Sequence, residues 1–188
     1  PKNILSLRPD LPALSVLMRM PEKNADSLLG AVITEAEKEG FNILPASTYM
    51  EEHMPQPGHI AGPRPTPEQW KDAVFGMQTA KEISRLHIGQ SVIVHQGTVV
   101  AVEAIEGTNN CIRRGGQLAG GKPATLAKVA RQGHDMRFDI PTVGPATMET
   151  CAECGIRQVA LEAGKTILLE RERVTELCKK HKISLHAI

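Results

Sequence analysis

Aromatic residues are scarce in this chain: they make up 3% of 188 residues, with one Trp and one Tyr. Few rings leave little on which bases can stack, so a single-stranded nucleic-acid platform is not expected. An excess of charge is lacking too. The 22 basic and 21 acidic residues leave a net charge of +1, which gives no footprint for non-specific binding to nucleic acid. No apolar run reaches the length of a membrane span. The opening, PKNILSLRPD, has no charged start followed by an apolar block, so no signal peptide is read there. It also has no methionine, and the expectation is a fragment or a chain without its first residues. With only four cysteines, a disulfide scaffold gives way to a reducing compartment, the cytoplasm. P-loop, GxSxG and complete GxGxxG motifs are all missing. The core must rest on Leu, Ile, Val, Ala and Met.

What the chain does have is concentrated in residues 98–116, TVVAVEAIEGTNNCIRRGG. Val100, Val102 and Ala104 alternate onto one face of a strand, with Ala101 and Glu103 on the other. The strand runs into Glu106-Gly107-Thr108-Asn109, read as a helix start capped by Thr108 or Asn109. Free N–H groups and partial positive charge make such a start a natural anion site. Arg113 and Arg114 follow a turn later.

Around this stretch the pattern is α/β. A short apolar helix is expected over residues 11–20. A second runs from Asn24 or Asp26 to Glu39, with Leu28, Leu29, Val32, Ile33 and Ala36 on its apolar face and a stop at Gly40. Residues 41–44 (FNIL) read as a buried strand. The proline-rich stretch 53–67 reads as an irregular connector. Thr66-Pro67-Glu68 opens a helix to about Arg85, its buried side formed by Trp70, Val74, Met77 and Ile83. Residues 89–104 give a hairpin turning at Gln96-Gly97. GGQLAGGKPA reads as a flexible, glycine-rich segment, TLAKVAR as a strand, and ATMETCAEC as a helix closed at Gly155. Two short strands around Ala163-Gly164, a helix over 171–182 and a final strand follow. Residues 68–188 thus form an α/β unit, β-rich with three helices.

Asp135 and Asp139 are the first chemical candidates, because two nearby carboxylates can hold one Mg²⁺, a hard cation that prefers oxygen. Asp139 also suits a turn before Pro141. Glu103 and Glu106 could complete such a site; the bland reading leaves Glu103 facing water and makes Glu106 a helix cap. Arg113, Arg114, Lys128 and Arg131 could clamp a diphosphate, or form a solvated face. Cys151-Ala152-Glu153-Cys154 is a CxxC lacking a second ligand pair, and buried small residues explain it more simply than zinc. His134 lies beside Asp135 but has no partner placed for it.

Three ordered strings, VVAVEAIEGTNNCIRR, LAKVARQGHDMRFDIPTVGPATME and ALEAGKTILLERE, closely resemble the LpxI-type UDP-2,3-diacylglucosamine pyrophosphatases. LRPDLPAL, AVITEAEKEGF and IGQSVIVHQG extend the resemblance over nearly the whole chain. It implies a partial Rossmann-like N-terminal domain and linker over residues 1–60, then a mixed α/β catalytic domain of the LpxI type over 61–188. It implies Mg²⁺-dependent hydrolysis of UDP-2,3-diacylglucosamine to lipid X and UMP, water attacking the α-phosphorus. Asp135, Asp139 and Glu106 are then the catalytic candidates, with either aspartate fitting the family's D-x-R-F-D segment and both offered as metal ligands. Thr108, Asn109, Arg113, Lys128, Arg131 and Thr142 are the substrate-binding candidates. The expected partner is that glycolipid nucleotide, with peripheral contact at the inner membrane and a homodimer as further expectations. The chain departs from the pattern at Asn109, where the family commonly has aspartate, at Arg131-Gln132, and in lacking a glycine-rich opening. Asn109 motivates a second reading, a nucleotide-sugar or lipid-binding relative that has lost catalysis.

Overall fold

The computed structural model describes residues 25–131, 137 and 140–188, together with Met18. They group into two compact units: residues 25–46 with Met18 and Arg137, and residues 47–131 with 140–188.

The first unit holds helix α1 (Ala25–Lys38). It ends in a Schellman motif: Phe41 N–H donates to the Ala36 carbonyl at 3.1 Å and Gly40 N–H to Glu37 at 3.0 Å, with Gly40 at φ 88°. Ile33 is buried, whereas Leu29 and Val32 are 41% and 55% exposed, so the expected apolar face is only partly covered. Arg137 pairs with Glu37 at 2.5 Å. Residues 41–44 are not a strand, and Phe41 and Leu44 are exposed. An apolar run becomes a strand only beside a neighbour that takes its backbone hydrogen bonds, and no described strand pairs with this one. The helix expected over 11–20 lies outside the described residues except for Met18, which is helical.

In the second unit one six-stranded sheet carries the structure. Its strands are β1 (Gly58–Ala61), β2 (Ser91–His95), β3 (Thr98–Val102), β4 (Ala124–Lys128), β6 (Ile156–Leu161) and β8 (Ser184–Ala187), in the order β1-β8-β6-β4-β2-β3. β8, β6 and β4 run parallel, while β1 pairs antiparallel with β8, and β2 with both β4 and β3. A separate parallel pair joins β5 (Thr142–Val143) to β7 (Ile167–Leu168). Helix α2 (Pro67–Arg85) covers one face of the main sheet, over Val92, Val94, Ala127 and Ala160. Helices α3 (Thr108–Leu118), α4 (Pro145–Glu153) and α5 (Arg171–His181) cover the other, over Ile93, Leu126, Val159, Leu161 and Leu185. Both faces are therefore buried, as parallel strands require.

Local signals set several boundaries. Thr66 and Gln69 form a complete capping box at the start of α2, with Pro67 at the first helical position. The α2 surface facing the sheet is Ala73, Gly76, Met77, Ala80 and Ser84, with Ile83 packed beside it; of the expected row Met77 and Ile83 lie there, whereas Trp70 is 44% exposed. Small residues let the helix lie close: a Cβ on Gly76 would stand 2.8 Å from that of Ala127. The hairpin turn has positive φ at Gln96 (48°) and Gly97 (75°), as the twist-matched type I′ turn demands. The Asp72 carboxylate accepts both turn N–H groups, at 3.0 and 2.7 Å.

Three further readings are corrected. The proline-rich connector contains β1, an edge strand, where prolines nearby cost no ladder bonds. The glycine-rich segment begins inside a helix: Gly115 and Gly116 are buried in α3, and a Cβ on Gly115 would sit 2.6 Å from the Ile93 side chain. The count of three helices becomes four among the described residues after residue 66, the fourth being α3, whose start the sequence places at Thr108 or Asn109.

A candidate active-site cleft

Register brings three polar side chains together at one end of the sheet. Lys128 ends β4 opposite Ser91 of β2, and Glu103, just past β3, donates its N–H to the Ser91 carbonyl at 2.8 Å. Directly paired residues share a face, here the one covered by α3. Glu103 and Lys128 are only 9% and 7% exposed.

Thr108, the first residue of α3, links them. Its hydroxyl donates to Glu103 Oε1 at 2.9 Å and accepts from Lys128 Nζ at 2.7 Å. Opposite charges and one hydroxyl thus offset part of the cost of burying either ion alone. Thr108 consequently does not cap its helix, nor does Asn109. The N-cap is Gly107, and no side chain satisfies the first-turn N–H groups. The positive end of α3 is left open beside the buried carboxylate. Glu103 Oε2 and Ser91 Oγ are buried with no hydrogen-bond partner among the described residues. A buried polar atom left without a partner calls for an explanation, and a bound group is one.

These groups border an open cleft of about 280 Å³ lined by residues 88–90, Glu103, Ala104, Lys128, Arg131 and residues 140–142. Gly89 is a point of close approach: a Cβ there would collide with the Glu103 carbonyl oxygen. The strand holding Glu103 can reach the β2 edge only because that side chain is missing.

The candidates read from sequence divide clearly. Lys128, Arg131 and Thr142 line the cleft, and Thr108 is hydrogen-bonded to two of its lining residues, Glu103 and Lys128. Thr142 turns its hydroxyl to the Ile140 carbonyl at 3.1 Å. Glu106 is not among them: its carboxylate pairs with Arg114, which also donates to the Val102 carbonyl at 2.7 Å. Arg113 lies on the exposed side of α3, bonded to Asn110 at 3.0 Å, and lines a different cavity with Arg157 and Cys154. Asn109 is half-buried in the first turn of α3 and does not line the cleft. Asp135 and Asp139, like His134, lie outside the described residues. Glu103, read from sequence either as completing an acidic site or as facing water, is buried and lines the cleft. The signal that could have revealed it is its position opposite Ser91, which only the hairpin register supplies.

The cysteines take no part. Cys111, Cys151 and Cys178 are buried and Cys154 half-buried, all four as free thiols. Burial pushes the Cys111 and Cys178 thiols up to about 12 and raises Cys151 further. Among the described residues no group of three or more His, Cys, Asp or Glu could hold a metal, which leaves the CAEC zinc idea without ligands there.

Comparison with known proteins adds a lineage. The family model for the LpxI C-terminal domain matches residues 56–186, and that for the LpxI N-terminal domain matches residues 1–53. The UDP-2,3-diacylglucosamine pyrophosphatase LpxI of Caulobacter vibrioides is 37% identical over 179 residues, 90% of this chain and 64% of that protein. The chain therefore spans less than two thirds of the length of this curated relative.

Proposed function

The chain belongs to the LpxI family, and from that premise we propose that it carries the catalytic unit of a UDP-2,3-diacylglucosamine pyrophosphatase. The reaction is hydrolysis of the diphosphate to 2,3-diacylglucosamine 1-phosphate (lipid X) and UMP, with water attacking the α-phosphorus. The observation that carries this reading is the unpartnered, buried Glu103 Oε2 beside Lys128 and the open start of α3. A diphosphate brings several anionic oxygens into the cleft. Lys128 offers a fixed positive charge, the α3 N–H groups offer donors, and Arg131 offers a guanidinium suited to bidentate contact. Glu103 Oε2 is left to accept a proton from water or to hold a cation.

Mg²⁺ fits as cofactor in its donor chemistry, since Glu103 presents a hard carboxylate oxygen without a competing donor on Oε2. On the family resemblance alone, Asp135 and Asp139 are metal-ligand candidates. When bound, Mg²⁺ supplies Lewis acidity to a phosphoryl oxygen. The protein's own part is to orient the diphosphate and to hold the Glu103 carboxylate in place through Thr108, which Lys128 in turn engages.

The test is UMP release by the full-length protein with and without Mg²⁺. Glu103→Gln should lower turnover about 100-fold, in the range of a lost acid–base group. Glu106→Gln should cost little, since its exposed partner Arg114 contributes at most about 1 kcal/mol. Undiminished rates in Glu103→Gln, Asp135→Ala and Asp139→Ala together would overturn the reading. Asn109 supports the second reading, a binding protein without turnover. Under it, tight substrate binding persists while both the native chain and Asn109→Asp stay at background.

A further inference from the structure

Far along the sheet from Glu103, a second cavity of about 430 Å³ opens between β1, β8 and the start of α2. It falls within the roughly 300–1,000 Å³ typical of small-molecule sites. It lies on the opposite face. His186 of β8 pairs with Ala160, which packs under α2, whereas Lys128 of the first cleft pairs with Leu161, which packs under α3–α5.

Its floor is His186, 2% exposed. A buried chain fixes that ring: Thr125 Oγ1 donates to Gln158 Oε1 at 2.9 Å, and Gln158 Nε2 meets His186 Nε2 at 3.3 Å. With Nε2 receiving that N–H, the imidazole proton sits on Nδ1, and Nδ1 is buried without a partner. One wall is the indole of Trp70, whose centroid stands 5.1 Å from that of His186 at a 37° tilt. Trp70 is 44% exposed, an open aromatic face on a chain with one tryptophan. Pro65 and Pro67 extend the apolar wall. At the rim stand His59, its Nε2 3.3 Å from the Pro63 carbonyl, and Arg64, which makes no ion pair among the described residues. No carboxylate lines the cavity among the described residues.

A flat apolar wall, an unused N–H donor and a guanidinium with no ion pair among the described residues select a ligand that joins a planar ring to an anion. We propose that this cavity is a second ligand site, separate from the Glu103 cleft, for a nucleoside monophosphate, its base against Trp70 and its phosphate at Arg64. The site stands independently of the hydrolase reading.

Because Trp70 is the chain's sole tryptophan, its emission reports this wall directly. UMP and AMP are titrated separately into the full-length protein, with correction for absorption by the base. Uridine (ring without phosphate) and ribose 5-phosphate (phosphate without base) serve as controls. The expected result is a saturable change with at least one nucleotide, the same in Glu103→Gln, and at least tenfold weaker binding for both controls and for the Arg64→Gln variant. No saturable change with either nucleotide overturns the proposal. So does a change that Arg64→Gln leaves intact, or one that Glu103→Gln abolishes. Background UMP release by the native full-length protein, with this response intact, counts against the hydrolase reading and not against this site.

Discussion

Glu103 shows how one backbone contact positions a functional group. It lies one residue past β3, where a chain normally turns away into solvent. Its carbonyl instead presses on Gly89, and its N–H reaches Ser91. Gly89→Ala should therefore push the two strands apart. An added methylene in a packed region costs about 1–3 kcal/mol, and the collision here is with backbone, which has little room to give. The unfolding free energy should fall by that amount, read as a lower denaturation midpoint, and UMP release should fall with it, since Glu103 moves relative to Lys128. An unchanged midpoint would mean the close approach is relaxed in solution. The alternation of Val100, Val102 and Ala104 could not disclose any of this. Alternation sorts inside from outside only when one sheet face is wet, and here helices cover both.

At the scale of elements, the clearest prediction concerns α2. Thr66→Ala removes the hydroxyl that accepts the Gln69 N–H at 3.2 Å and should cost about 1 kcal/mol. Thr66→Ser should restore most of it, read from the same midpoint. This cap was legible in the sequence, as were the hairpin turn at Gln96-Gly97, the helix stop at Gly155 and the strands on either side of Ala163-Gly164. Each is specified by neighbours in the chain. The elements that escaped depend on distant partners. β1 exists because β8 accepts it, residues 41–44 lack a described neighbour and so are no strand, and Gly115-Gly116 are helical because Ile93 and Cys154 need the space. The candidate site divides in the same way. Lys128, Arg131 and Thr142, singled out by charge and motif, line one cleft, while Glu106 turns to Arg114, a pairing that no motif announces.

Across the whole molecule, His186 ties stability to pH. Burial holds its ring well below the ordinary histidine range, at about 4, with the nearby His59 adding to the effect. In the unfolded chain the same ring titrates near 6.5. Between those values the unfolded state binds a proton that the native state refuses. The contribution is therefore complete above about pH 6.5 and is lost as pH falls toward 4, up to about 3 kcal/mol in all. Denaturant midpoints measured from pH 7 to 4 should fall over this window, and a His186→Gln variant should show a shallower fall. Equal slopes would exclude the histidine as the cause.

The position of β8 has its own consequence for how the chain acquires its shape. β8 lies between β1 and β6, yet β1 is among the first parts of this unit to be synthesised and β8 among the last. A growing chain on the ribosome must carry β1 with no strand to dock on and β6 with one flank bare. Such pairing over long sequence separation slows folding, and uncovered strand flanks invite mispairing. Completion of the sheet then waits for β8, which joins β1 to β6.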